Sequence, residues 1–480
     1  MLFRRFYDDA LAQASYLIGC QRTGEAIVVD PNRDVDQYLA AARADGARIV
    51  HVTETHIHAD FVSGARELAR RADARLSLSD EGPEEWRYGF ADSDGARLLR
   101  DGDSIEVGDV RLDVLHTPGH TPEHLSFLVT DTAGATGPMG LLSGDFLFVG
   151  DVGRPDLLER AAGERGTADV LARKMFHSLQ KISELPDWLQ LWPGHGAGSA
   201  CGKALGAVPQ STLGYERRFG WAFGIDDEEE FVSAALDGLT DPPRYFARMK
   251  RVNRDGPALL ADAAPLRELD ADALAAERAA GAVTMDTRST SEFAKGHLVG
   301  AIAIPAGASV LKWSGALFDA DQRIALVAND AAAARRIALQ LAMIGFDRVV
   351  GFATPAAAAA LAAREGTQRI ERIPPKEVAR RMEQDEGYVV DVRATHEWAA
   401  GHLPGVPNLP LPNLPAQLDE LPRDTPIILQ CQSGTRSIIA ASILQAAGFE
   451  RVADLESGYK GWVAAGEPIE RGVGAGSPGT

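Results

Sequence analysis

Cysteine is scarce in this chain, with only Cys20, Cys201 and Cys431 among 480 residues. Three thiols so far apart cannot staple a fold, which excludes a disulfide-dense secreted scaffold and points to a reducing, cytoplasmic setting. Long apolar runs are missing as well. No stretch approaches the ~20 residues that a membrane-spanning helix needs. Positive charge is in deficit, with 49 Lys and Arg against 68 Asp and Glu, a net charge of −19. That balance argues against nucleic acid or an anionic membrane as partner. The opening residues, Met1-Leu-Phe-Arg-Arg-Phe-Tyr-Asp-Asp9, lack the apolar core of a secretory signal. What remains is an ordinary globular composition, 45% hydrophobic and 24% charged. The length suggests about two to four domains. Assembly into a homo-oligomer is compatible with the sequence.

The most informative stretch that is present is Cys431-Gln-Ser-Gly434-Thr-Arg436-Ser437. An apolar run, Pro426–Gln430, ends at the cysteine, and a helical pattern follows from Ser437 to Ala447. A strand, a tight loop and a helix are therefore expected, with Cys431 opening the loop. Inward-pointing loop amides and the positive pole of the helix favour the nucleophilic thiolate there. Gly434 allows the turn, and Arg436 adds a fixed cation able to hold an oxyanion. Four residues separate Cys431 from Arg436. Cysteine phosphatases use one residue more, to cradle a phosphate. The shorter loop resembles that of rhodanese sulfurtransferases, which carry sulfur on the cysteine as a persulfide.

The segment has an upstream partner. Asp286-Thr-Arg288, Glu292 and Gly296-His297-Leu-Val-Gly300 match Asp391-Val-Arg393, Glu397 and Gly401-His402-Leu-Pro-Gly405. Gly345-Phe-Asp-Arg-Val matches Gly448-Phe-Glu-Arg-Val in turn. Two copies of one α/β unit with a parallel sheet are expected, over 265–365 and 370–472, both resembling the rhodanese fold. The same alignment places Ala328 opposite Cys431 and Ala333 opposite Arg436. The first copy is expected to be catalytically silent, and its Ala-rich segment 356–363 to be its last helix. Residues 473–480 read as a disordered tail.

In the N-terminal part, histidines and carboxylates follow apolar, strand-like runs. Arg48–Thr53 leads into His56-Ile-His58-Ala-Asp60-Phe61, and Arg111–Leu115 into His116-Thr-Pro-Gly-His120. Met139–Leu142 leads into Ser143-Gly-Asp145, and Leu189–Trp192 into Pro193-Gly-His195. Four strand ends of this kind can meet at one edge of a sheet. The segments in this order resemble the metallo-β-lactamase fold, an αββα sandwich, expected over 1–255. Dinuclear zinc hydrolases of that fold carry a histidine where this chain has Phe61, which cannot ligate a metal.

The resemblance implies a single metal. Within the fold, persulfide dioxygenases hold one Fe(II) through residues matching His56, His120 and Asp145, with His58, Asp60 and His195 nearby to orient ligands. Two histidines and one carboxylate suit ferrous iron and leave coordination positions open. Cys201, on a Gly-rich loop after His195, is a candidate to line the substrate pocket; Cys20 is expected to be core packing. Gly214-Tyr215-Glu216-Arg217-Arg218 reads as a solvated helical face.

The whole chain resembles bacterial fusions of a persulfide dioxygenase with rhodanese domains. That implies oxidation of small-molecule persulfides by dioxygen to sulfite, and transfer of sulfane sulfur through Cys431 to sulfite, giving thiosulfate. Two other readings stay open: a glyoxalase-II-like hydrolase fused to a sulfurtransferase, and a persulfide carrier or sensor without catalysis.

Overall fold

The computed structural model describes residues 1–162, 166–262, 265–307 and 309–472, so the expected tail at 473–480 lies outside the described residues. The chain forms two compact units. The first comprises Met1–Ala264 with the short segment Ala342–Gly345; the second comprises Pro265–Leu341 and Phe346–Thr480. Among the described residues, no helix is long and apolar enough to cross a membrane.

The first unit is built on two six-stranded sheets. One runs in sequence order: β1 (Leu2–Asp8), β2 (Gln13–Cys20), β3 (Glu25–Val29), β4 (Arg48–Thr53), β5 (Arg75–Ser79) and β6 (Arg97–Leu99). Its first three strands are antiparallel and its last four parallel. The other sheet is made by β7 (Ser104–Val107), β8 (Val110–His116), β9 (Leu125–Asp131), β10 (Gly140–Gly144), β11 (Gln190–Pro193) and β12 (Ser211–Thr212).

Strand alternation sorts the apolar side chains into layers. Tyr16, Ile18, Ile27 and Val29 join Leu112, Val114, Phe127, Val129 and Trp192 in one buried cluster between the sheets. Leu17 and Val28, one residue out of step, face the other way and pack with Tyr38, Leu68 and their helices. On the far side of the second sheet, Leu141 and Leu191 meet Met175, Leu179 and Phe231. The result is the expected αββα sandwich. Cys20 belongs to the cluster between the sheets, as packing would have it.

The second unit holds two four-stranded parallel sheets, one for each copy of the repeat. The first copy contributes β13 (Val283–Asp286), β15 (Ile302–Ala303), β16 (Ile324–Val327) and β17 (Val349–Ala353). A two-stranded ladder, β14 (His297–Leu298) with β18 (Thr367–Gln368), closes its end. The second copy contributes β19 (Glu371–Ile373), β20 (Tyr388–Asp391), β21 (Ile427–Gln430) and β22 (Val452–Leu455).

Both copies use the same internal braces. Arg288 clamps Asp286 at 2.6 Å, and Arg393 clamps Asp391 at 2.7 Å. His297 stacks on Phe293 and hydrogen-bonds its carbonyl; His402 does the same with Trp398. The copies also share hydrogen bonds: His297 Nε2 lies 3.0 Å from Gln445 Oε1, and the Ala303 amide donates to Ser442 Oγ at 3.0 Å. The helix Thr435–Ala446, which carries Ser442 and Gln445, therefore rests on the first copy.

Candidate metal centre and sulfur loop

The four motif segments sit where the sequence suggests, immediately after β4, β8, β10 and β11. Glycine lets them close up. A Cβ at Gly194 would stand 2.6 Å from Asp145 Oδ1, and one at Gly144, where φ is +50°, 2.7 Å from His124 Nε2. No other residue fits either position without moving the site.

His56, His120 and Asp145 come together, fully buried, with one ligand atom of each within 4.8 Å of the others. Asp145 Oδ2 lies 3.9 Å from His56 Nε2 and 3.6 Å from His120 Nε2. The other ring nitrogens are occupied: His56 Nδ1 by Thr55 Oγ1 at 2.9 Å, His120 Nδ1 by the Arg154 carbonyl at 3.0 Å. Both Nε2 atoms and both Asp145 oxygens have no hydrogen-bond partner. Buried polar atoms left bare in this way are costly, and a cation at their centre would satisfy all of them. Burial also pushes the His56 and His120 pKa values down, so both rings are held neutral, as ligands must be. The donor set fits a metal.

His58, Asp60 and His195 stand around this set. His58 Nε2 faces Asp30 Oδ1 at 3.3 Å; burial opposes its charge, but Asp30, Glu54 and Asp60 push its pKa up to about 9. His195 Nε2 lies 3.3 Å from both Asp60 Oδ2 and Asp145 Oδ2, and its Nδ1 bonds the Ala12 carbonyl. Cys201 is wholly buried and, with Asp60 and His195, forms a second group of facing ligand atoms. Burial, then the charge of Asp60, pushes its thiol up to about 12. Such a thiol keeps its proton at neutral pH. Phe61 is buried against the His58 ring, with centroids 4.4 Å apart. Beside His120 lies a small cavity of about 20 Å³, mainly apolar, with Ile57, Leu157, Leu158 and Phe246 in its wall.

Two positioning residues went unnoticed in the sequence. His124 Nε2 accepts from the Asp145 amide at 3.1 Å, fixing the carboxylate's backbone; it recurs four residues after His120, a spacing that was visible. Asn253 donates to the carbonyls of His58 and Phe61 and accepts from the Ser63 amide. Nothing near position 253 hints at that. The expected solvated face at 214–218 is also only partly so, because Glu216 is buried and accepts the Gly150 amide at 2.8 Å. The helix Leu213–Phe219 turns that one carboxylate inward to a loop amide that has no strand partner.

In the second unit, Cys431 follows β21, and Gly434, with φ +98°, starts the helix. The Gly434 amide donates to Cys431 Sγ at 3.1 Å and the Ser437 hydroxyl at 3.4 Å. Arg436 is engaged by Glu397 through both guanidinium nitrogens, at 2.5 and 2.8 Å. In the first copy, Ala328 is buried after β16 and offers no chemistry.

Comparisons with known proteins match this architecture. The family model for the metallo-beta-lactamase superfamily matches residues 8–195, and that for the rhodanese-like domain matches 270–353 and 374–465. A crystal structure of a metallo-beta-lactamase from Staphylococcus aureus subsp. aureus COL is 42% identical. It covers 74% of this chain and 99% of its own, with a TM-score of 0.64. The mitochondrial persulfide dioxygenase ETHE1 of Bos taurus is 28% identical over 200 residues, 41% of this chain and 68% of that protein. A hydroxyacylglutathione hydrolase of Rhodopseudomonas palustris is 32% identical over 198 residues, 41% of this chain and 68% of that protein. The chain belongs to the metallo-beta-lactamase superfamily and joins that domain to two rhodanese-like domains.

Proposed function

We propose that this protein is an iron-dependent persulfide dioxygenase that also makes thiosulfate by sulfur transfer. The observation that carries the reading is a buried two-histidine, one-carboxylate donor set, His56, His120 and Asp145, and it is supported by Phe61, which stands where the dinuclear hydrolases that the chain resembles carry a histidine. Fe(II) held there would supply the redox chemistry of dioxygen, which zinc lacks. The chain's own residues would do the rest. Thr55 and Arg154 hold the two imidazoles in the tautomer that presents Nε2. His58 and His195, each favoured in its charged form by the carboxylates it faces, would offer positive charge to an anionic persulfide. The overall change is R–S–SH + O₂ + H₂O giving R–SH, sulfite and two protons.

Cys431 would take a sulfane sulfur from a second persulfide and pass it on: Cys431–S–SH plus sulfite gives Cys431–SH plus thiosulfate. The Gly434 amide and Ser437 hydroxyl already point at the sulfur that must leave. One chain making sulfite at one site and consuming it at another raises its effective concentration. A reducing cytoplasm suits both the ferrous ion and the thiol.

A second reading, a thioester hydrolase, is favoured by the group Asp60, His195 and Cys201, which could hold a second metal. Purification without oxygen separates the two. About one iron per chain with oxygen uptake on adding glutathione persulfide supports the dioxygenase. Two metals with hydrolysis of S-lactoylglutathione and no oxygen uptake would replace it.

A further inference from the structure

Behind the sulfur loop lies a charged pair that no motif contains. Asp454, on β22, is completely buried, and Arg372, its register partner on β19, holds Oδ2 through Nε at 3.1 Å. Its other oxygen, Oδ1, has no hydrogen-bond partner. The pair backs directly onto the loop: a Cβ at Gly434 would lie 3.4 Å from Arg372 Nη2 and 3.9 Å from Asp454 Oδ2. Ser437, also fully buried, stands between the pair and Cys431. Its hydroxyl is close enough to Asp454 to help hold the carboxyl's charge, yet donates to Cys431 Sγ at 3.4 Å. A hydroxyl has one proton and cannot donate both ways.

We propose that Asp454, steadied by Arg372, is a positioning residue for Cys431: through the Ser437 hydroxyl it governs whether a hydrogen bond reaches the leaving sulfur. The inference rests on the sulfurtransferase reading of Cys431. In transfer, sulfite attacks the outer sulfur of Cys431–S–SH and a new S–S bond forms. The old one breaks, its electron pair stays on Cys431, and the persulfide proton ends there. Charge gathers on the Cys431 sulfur as the bond breaks, so a donor aimed at it speeds the step. Ionised Asp454 draws the Ser437 proton to itself; neutral Asp454 releases it to the sulfur.

The repeat supplies an internal control. The silent copy has Ala328 for Cys431, Ala333 for Arg436 and Ala334 for Ser437, and strand register puts Phe352 in the place of Asp454. It keeps Asp286, Arg288, Glu292 and His297, the braces of the fold. By the same register its counterpart of Arg372 is Glu268, so both members of the pair are gone. Asp454 thus disappears with the chemistry rather than staying with the architecture.

Burial pushes the Asp454 pKa up to about 6, against Ser437 and Arg372, with Glu456 adding to the rise. Arg372 and Glu456 are the charged groups that act on it, and the Ser437 hydroxyl the neutral one. The adjoining β21, Ile427–Gln430, carries no ionisable side chain, and Asp391 on β20 is taken by Arg393.

The test uses the full chain without oxygen, glutathione persulfide as sulfur donor and sulfite as acceptor, from about pH 5 to 8. The wild-type rate should fall as pH rises through an inflection near 6. The fall should be about tenfold, the effect of one hydrogen bond to a charged group. Asp454→Asn and Ser437→Ala should each remove the inflection, while mass spectrometry still finds Cys431 loaded. Arg372→Gln should move it to higher pH, since the lost cation favoured the charged carboxylate. An inflection that survives in Asp454→Asn or stays in place in Arg372→Gln overturns the inference. If Asp454→Asn does not fold, Ser437→Ala and the partly exposed Arg372 decide. Wild-type transfer without pH dependence sinks this inference alone. No transfer at any pH sinks the sulfurtransferase reading with it.

Discussion

Glu397 and Arg436 meet in a two-point ion pair, Oε2 to Nη1 at 2.5 Å and Oε1 to Nη2 at 2.8 Å. Glu397 also accepts the Ala394 amide, so the carboxylate that starts one helix fixes the cation of another. The pair should contribute stability through a depressed carboxyl: Arg436 draws the Glu397 pKa down to about 2 from an ordinary 4.5. That contribution is complete above about pH 4.5 and is lost as pH falls toward 2. Glu397→Gln should lower stability near neutrality by about 1 kcal/mol, with a smaller loss at pH 3. Urea denaturation at the two pH values measures this; equal losses at both would show that the pair's charge is not what matters.

His120→Ala should lose iron and oxygen uptake together, because its Nε2 faces Asp145 Oδ2 across the donor set at 3.6 Å. Metal analysis beside an oxygen electrode reads both. Iron retained at wild-type occupancy would remove His120 from the ligands.

Cys431→Ser should stop thiosulfate formation while oxygen uptake continues and sulfite accumulates. Cys201→Ser should leave thiosulfate formation within about twofold, since a buried thiol pushed up to about 12 is a poor nucleophile at neutral pH. Product analysis by ion chromatography, with spontaneous reaction subtracted, decides. Thiosulfate at the wild-type rate from Cys431→Ser would show that another residue carries the sulfur.

Phe61→His should raise zinc occupancy from about one toward two per chain. It would add an imidazole next in sequence to Asp60, which already faces His195 and Cys201. Unchanged zinc content under excess metal would mean that the neighbouring charges, chiefly His58 and His195, block a second cation.

His297→Ala should weaken the second unit although it lies in the silent copy. It removes the hydrogen bond to Gln445 Oε1 and a ring stacked on Phe293. A loss of about 1–2 kcal/mol in thermal or urea unfolding is expected, with slower sulfur transfer at Cys431. Unaltered stability would show that this brace carries no load.

Much of this was legible in the sequence for a physical reason. Arg48–Thr53 and Leu189–Trp192 are rich in apolar, β-branched or aromatic residues, so the strands announce themselves, and the glycines at the end of β10 and just after β11 mark close approach. The convergence of those strand ends was not legible, because sheet order is set by contacts far apart in sequence. Asn253 is the sharpest case. Its value lies in three backbone groups of the His58–Ser63 turn, nearly two hundred positions away. Only the question of what satisfies that turn's polar groups would have led to it. Asp454 was hidden differently, as one polar residue in an apolar strand, meaningful only once Arg372 and Ser437 stood beside it.

The Ala303 amide, donated to Ser442 on the helix behind Cys431, gives the first copy a lasting hold on its sibling. A repeat without a nucleophile would ordinarily tolerate substitution freely. In this chain Ala328 and Ala333 carry no side chain able to do chemistry, whereas Ala303 and His297 hold the helix behind Cys431. A mutational scan should therefore find an uneven map across 265–365. Substitutions around Ala328–Ala333 should pass unnoticed, whereas those at His297 and along β15 should register as losses of sulfur transfer although this copy lacks the cysteine.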